Sequence, residues 1–267
     1  MSDPAFPRSE EGFDDPVEAF RMPLMDHLRE LRRRLIISIV TLIIAVAVCF
    51  TWVNDIWAFL VAPMNAALND TGRGTLAITA PLEGMTTFLK VSGVAGLGLA
   101  SPILFAQAWG FVAPGLYPNE KRFVIPLAIA SSGLFLAGGA FCYFVIFTYA
   151  FPFFITVTGE DVQAVLSISA YLELATQLLV AFGVCFQLPV VAFALARVGL
   201  IDHLDLLRFF RYAIVAIFAV SAILTPPDVL SQVLMAIPLT VLYILSIGIA
   251  WVFTTKKREP AAEGAAS

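Results

Sequence analysis

The chain has 267 residues, 60% of them hydrophobic and 13% charged, with a mean hydropathy of +0.89. Soluble domains run at about 45–50% apolar and about 25% charged, so a core of this size cannot hide the surplus and lipid must solvate most of it. A net charge of −4 and a pI near 5.2 exclude the global basic field of a nucleic-acid binder.

In chain order, residues 1–22 are rich in Pro, Glu and Asp without a helical period, which predicts a disordered cytoplasmic tail. A membrane domain is expected over 23–253, with spans at 35–53, 86–109, 123–149, 171–197, 209–224 and 229–253. The first apolar run begins too late and is too long for a cleaved signal peptide, so it reads as a retained transmembrane helix. Residues 54–68 open a long outer loop and look amphipathic, with Pro63 among Ile56, Trp57, Phe59, Leu60 and Val61; this stretch is expected to lie along the membrane surface. The fifth span is short: its 16 residues reach about 24 Å against a hydrocarbon core of about 30 Å. Thr225-Pro226-Pro227-Asp228 follows, and its two prolines predict a tight, non-helical turn. Pro102, Pro126, Pro189 and Pro238 sit inside spans, where each removes a backbone donor and bends its helix. Residues 254–267 close the chain as a second cytoplasmic tail, carrying Lys256, Lys257 and Arg258.

Of the 16 Lys and Arg residues, all but Arg73 and Lys90 fall on the side that holds the amino terminus, so both termini are expected inside. Cys49, Cys142 and Cys185 lie apart inside apolar runs and read as buried free thiols. His27 and His203 stand beside helix ends, as solvated or capping residues do. The sequence carries no P-loop, HExxH, GxSxG or dinucleotide fingerprint, which argues against an enzyme and predicts no cofactor and no metal.

Three polar features remain. The first is His27-Leu28-Arg29-Glu30-Leu31-Arg32-Arg33-Arg34, a positive-inside anchor that also holds a carboxylate; Glu30 and Arg34 are four apart and can pair on one helix face. The second is the inner loop from Phe111 to Arg122, with Pro114, Glu120, Lys121 and Arg122; taken alone, its glutamate reads equally as a cap on the third span. The third is the uncharged set Gln187, Thr225 and Gln232 at bilayer depth, where an amide needs a partner. Glu173, at the outer end of its span, is expected to reach water.

Four strings in order, HLRELRRRL, FVAPGLYPNEKR, FGVCFQLPV and LTPPDVLSQ, resemble the TatC family, the polytopic core subunits of the twin-arginine protein translocase. The likeness runs from about His27 to Trp251. It implies an all-α, cupped, glove-like bundle of six helices in a prokaryotic inner membrane. It also implies a receptor for twin-arginine signal peptides of folded precursors, with TatA- and TatB-type single-span partners, oligomers of the chain itself, and transport driven by the proton-motive force. Carried over by position, Glu30, Arg32, Phe111, Pro114, Glu120, Lys121 and Arg122 belong to signal-peptide recognition. Gln187, Thr225 and Gln232 belong to contacts with partner helices, and Pro63, Pro226, Pro227 and Asp228 to structural turns. Gln187 stands where many family members carry Glu, and Lys121 where many carry Arg.

The chemistry is coherent with that resemblance. Arginine presents a permanently charged planar fork, and a carboxylate accepts it through charge-assisted bonds. Two arginines ask for two acids, and Glu30 and Glu120 lie on one side of the membrane in the expected topology. A small-solute transporter would bring midplane charges and internal repeats, a membrane enzyme would need a metal or nucleophile cluster, and a pure scaffold would lack signal-peptide recognition.

Overall fold

In lipid no water is present to satisfy backbone N–H and C=O groups, so apolar runs must become helices. The computed structural model describes residues 16–72, 74–79, 81–116, 121–157, 165–197, 199–224 and 229–253; at several helix ends, including 113–116 and 121–123, it describes the backbone alone. Among these residues the order is α1 (Pro16–Thr51), α2 (Val53–Thr71), β1 (Thr75–Ala77), α3 (Glu83–Leu116) and α4 (Lys121–Phe141). A π-helical turn (Cys142–Ile146) then leads into α5 (Phe147–Val157), β2 (Val165–Ser167), α6 (Ile168–Cys185), α7 (Leu188–Arg197), α8 (His203–Leu224) and α9 (Val229–Phe253).

Among the described residues, six stretches are long and apolar enough to cross a membrane: His27–Thr51, Glu83–Val112, Val124–Thr156, Ile168–Arg197, His203–Leu224 and Gln232–Phe253. The chain is a multi-pass membrane protein. Two boundaries differ from expectation. First, α1 begins at Pro16, inside the stretch expected to be structureless. Second, the fifth span is not short. α8 has 22 residues, about 33 Å, enough for the hydrocarbon core. Its first two turns carry Asp205 and Arg208, which apolarity alone discards. Half of a capping box fixes the first turn: Asp205 Oδ2 accepts from the Asp202 N–H at 3.0 Å, while Asp202 Oδ1 accepts from the neighbouring His203 N–H at 2.6 Å.

The fourth span is bent. Pro189 cannot donate to the Cys185 carbonyl, and the helix breaks into α6 and α7 at Phe186-Gln187. There Gln187 N–H reaches back three residues to the Val184 carbonyl at 2.9 Å.

α1 packs along α3, α3 against α4, α4 and α3 against α6, and α9 against α7 and α8. α2 buries Leu60, Val61, Met64, Ala67 and Leu68, a helical spacing, against α5, and leaves Asn54, Asp55, Asn69 and Asp70 exposed. Pro63 lies inside this helix, half-buried. The fully buried aromatics Phe147, Phe151 and Phe182 form the centre of the core, and Tyr171 closes it by donating to the Leu60 carbonyl at 2.6 Å.

The two ends of the bundle differ. One gathers the start of α1, the end of α3 and the start of α8, and is rich in arginine: the basic end. The other joins β1 to β2 as a two-stranded parallel pair, with Thr75 opposite Val165 and Ala77 opposite Ser167: the strand end. Strands this short carry no sequence signal above their surroundings.

Candidate functional site

At the basic end, His27, Glu30 and Arg34 recur at i, i+3 and i+7, which sets them on one face of α1. That face meets the last turns of α3. His27 stacks on Phe111 with ring centroids 4.4 Å apart and planes inclined by 23°. One turn deeper, Arg34 donates to Glu30 Oε1 from Nη2 at 2.6 Å and from Nε at 3.1 Å, the pairing expected from their spacing. Its Nη1 crosses to α3 and donates to the Gln107 carbonyl at 3.4 Å. Gly110 makes this approach possible, because a Cβ there would lie 2.0 Å from Arg34 Nη1.

The Glu30 carboxylate is therefore aimed by a guanidinium that α3 holds in place. Glu30 and Arg34 are 38% and 25% exposed, so the pair sits at a boundary where water still reaches but screens less than in bulk. Arg32 projects from another face of α1 and is exposed. Glu120 lies outside the described residues, bracketed in the chain by Leu116, which ends α3, and Lys121, which opens α4. The side chains of Pro114, Lys121 and Arg122 also lie outside the description; their backbones belong to α3 and α4.

Gln187 and Gln232 make their polar contacts within the chain. Gln187 Nε2 donates to the Ser131 carbonyl at 3.1 Å and the Gly183 carbonyl at 3.4 Å. Trp109 Nε1 reaches the same serine, at Oγ, from α3 at 2.8 Å. Three spans thus meet in one polar knot. Gln232 Nε2 donates to the Phe218 carbonyl at 3.0 Å and ties α9 to α8. Thr225, Pro226, Pro227 and Asp228, in the connection between those two helices, lie outside the described residues.

Sequence reasoning missed two charged features at the strand end. Glu83, at the start of α3, is 5% exposed. Its Oε1 accepts from Ser167 Oγ at 2.5 Å and the Ser169 N–H at 2.7 Å, and its Oε2 accepts from the Thr79 N–H and, at 3.1 Å, the Thr79 hydroxyl. One carboxylate so joins the connection before α3 to the connection before α6. A glutamate opening an apolar helix is readable as a cap; its partners, 84 and 86 residues away, are not. The second feature is Glu173, which does not simply reach water: its Oε2 pairs with Lys90 Nζ of α3 at 2.9 Å.

Comparison with known proteins agrees with this architecture. Residues 26–238 match the family model described as Sec-independent protein translocase protein (TatC). A Sec-independent protein translocase protein TatC from Helicobacter pylori strain J99 is 44% identical over 227 residues, covering 85% of this chain and 88% of that protein. Another from Campylobacter jejuni is 45% identical over 225 residues, 84% of this chain and 91% of the relative. A crystal structure titled as the twin arginine translocase receptor TatC superposes with a TM-score of 0.76 at 37% identity, covering 86% of this chain and all of that one. With six membrane-crossing helices, its terminal arginine cluster and this match over most of its length, the chain belongs to the TatC family and is a component of a protein translocase rather than an enzyme.

Proposed function

We propose that this TatC-family chain is the receptor core of a twin-arginine translocase, and that its basic end reads the arginine pair of a signal peptide. The observation that carries the reading is the Glu30–Arg34 contact: a carboxylate at this end already takes an arginine fork through two donors, held by α3 beside Phe111. Glu120 supplies the second acid, with Arg32, Pro114, Lys121 and Arg122 around the loop. Two guanidinium groups then meet two carboxylates at the headgroup boundary, where charge-assisted bonds gain strength.

The basic end faces the cytoplasm, with both termini inside, because the segments assigned to that side by the sequence carry all but two of the Lys and Arg residues. TatA- and TatB-type helices dock near Gln187, Thr225 and Gln232, further copies of the chain complete the receptor complex, and folded precursors cross a prokaryotic inner membrane under the proton-motive force. Tails at 1–22 and 254–267 flank the membrane domain.

The test is photo-crosslinking of a twin-arginine precursor to a probe at Glu120 in intact membranes, with a paired-lysine precursor as control. A crosslink that disappears with the lysine pair is expected. Equal crosslinking of both precursors, or none with folded and inserted protein, would overturn the receptor reading.

A further inference from the structure

At the strand end, α3 and α6 run parallel and face each other. On α3, Lys90, Val94 and Gly98 follow at i, i+4 and i+8; on α6, Glu173, Gln177 and Val180 follow at i, i+4 and i+7. Both stripes pass from charged to apolar in the same direction. Two cavities lie along them. The first is an open cleft of about 500 Å³ whose wall carries Lys90, Glu173 and Gln177. The second is an apolar chamber of about 620 Å³ bounded by α2, α3, α4 and α6, with Leu99, Leu136, Gly139 and Phe144 in its wall. Val94 and Val180 line both, so the two adjoin across these side chains. The chamber lies within the usual range for ligand sites, about 300–1,000 Å³.

The depth fits an amphiphile. The span Glu83–Val112 has 30 residues, about 45 Å, close to a whole bilayer with its headgroup layers at about 40–45 Å. Lys90 stands seven residues from the strand end of that span, about 10 Å in, where headgroups give way to hydrocarbon. A charged pair at that level, 43% and 64% exposed, cannot be left to acyl chains, because lipid does not solvate it.

We propose that the adjoining cleft and chamber hold one zwitterionic phospholipid with a primary-amine headgroup, one acyl chain passing between Val94 and Val180. Its phosphate lies on the Lys90 ammonium, its own ammonium donates to Glu173, and that acyl chain fills the chamber. Charge complementarity selects the headgroup. An anionic lipid with an uncharged alcohol headgroup satisfies Lys90 but offers no charge to Glu173, and a quaternary ammonium has no N–H to donate. The Phe59–Tyr143 stack, with centroids 4.2 Å apart, rigidifies the chamber wall, and the π-helical turn sets Tyr143 and Phe144 at its rim.

Native mass spectrometry of the full purified chain, titrated with palmitoyl-oleoyl phosphatidylethanolamine or phosphatidylglycerol, tests the assignment. One phosphatidylethanolamine should bind about fivefold tighter than phosphatidylglycerol, the value of one charge contact at a membrane surface. Glu173→Gln should erase that preference. Gly139→Leu should abolish binding of both lipids; a Cβ at Gly139 meets nothing within 4 Å, so the added side chain enters the chamber without displacing the fold. Equal binding of the two lipids by the unaltered chain, or undiminished binding by Gly139→Leu, overturns the proposal. Wild-type protein gives an independent reading through phosphatidylethanolamine carrying a diazirine on its acyl chain. Adducts on Leu99, Leu136 or Phe144 are expected, and adducts confined to the outer faces of α1 and α8 would refute the site.

Discussion

Replacing Gly110 by alanine adds one methyl group and no charge, yet it should uncouple the proposed recognition site at the basic end. The new Cβ would stand 2.0 Å from Arg34 Nη1, well inside a van der Waals contact of about 3.5 Å, so the guanidinium must retreat by about 1.5 Å. That movement breaks the 3.4 Å bond to the Gln107 carbonyl and the 2.6 and 3.1 Å bonds to Glu30. Bonds to charged groups are worth about 1.5–3 kcal/mol, and partial exposure of both partners reduces this pair to about 1 kcal/mol. Alanine recovers about 1 kcal/mol of helix propensity over glycine, so the two terms nearly cancel. The melting temperature should therefore stay within a few degrees of the parent, while affinity for a twin-arginine peptide falls about fivefold, corresponding to about 1 kcal/mol. Fluorescence anisotropy of a labelled peptide on the chain in nanodiscs measures the second quantity, and differential scanning the first. On an Arg34→Ala background the added methyl meets no guanidinium, so the double variant should bind as Arg34→Ala alone. Undiminished binding by Gly110→Ala, or strict additivity of the two changes, would refute the coupling of Glu30 to α3 through Arg34.

Other substitutions probe the scaffold. Glu83→Gln turns an acceptor oxygen into an amide NH2 donor facing donors from Thr79 or from Ser167 and Ser169, and should cost about 2–3 kcal/mol. Hydrogen exchange in 75–77 and 165–167 should quicken, and unchanged protection there would remove Glu83 from its joining role. Gly138→Ala places a Cβ 2.7 Å from the Phe182 carbonyl oxygen and 3.0 Å from Gly183 Cα, so α4 and α6 must separate at about 2 kcal/mol. Gly133→Ala, where a Cβ meets nothing within 4 Å, is the control; equal melting temperatures for the two variants would contradict the close packing. Gln187→Leu removes the amide that donates to the Ser131 and Gly183 carbonyls and should destabilise by about 1 kcal/mol, read as a lowered melting temperature.

The helices and their number were legible because lipid enforces one backbone solution on long apolar runs. Boundaries were less so wherever charge sits inside a helix. His203 to Arg208 looks like loop by polarity and is the opening of α8, made stable by the Asp205 carboxylate on the Asp202 N–H and the Asp202 carboxylate on the His203 N–H. At the basic end, Glu30 and Arg34 could be paired on paper because helical spacing is local. The crossing of Arg34 to Gln107, 73 residues away, could not, and Gly110 gave no sign that its missing side chain is the slot. Glu83 failed for the same reason. Its own position was readable, but the serines it holds come from a segment that periodicity does not place beside it.

On the proposed reading, exposure at the basic end limits what the arginines of a signal peptide can contribute to binding. Each carboxylate–guanidinium pair at a boundary like that of Glu30, with side chains 25–38% exposed, is worth about 1 kcal/mol. Two such pairs supply about 2 kcal/mol, while micromolar binding requires about 8 kcal/mol. The remainder has to come from the apolar stretch that follows the arginines in any secretory signal, buried against lipid-facing helices such as α1, whose membrane window is only 11% buried within the chain. The arginine pair then specifies register and identity, and the apolar stretch provides affinity. Replacing one arginine of the peptide by lysine should weaken binding no more than about fivefold. Exchanging three leucines of the apolar stretch for serine should weaken it at least a hundredfold, at about 1.5–3 kcal/mol for each side chain removed from water. Peptide titrations on the chain in nanodiscs compare the two directly. A larger loss from the single lysine than from the three serines would mean that the acidic end binds its arginines in a far drier setting than the exposure of Glu30 and Arg34 allows.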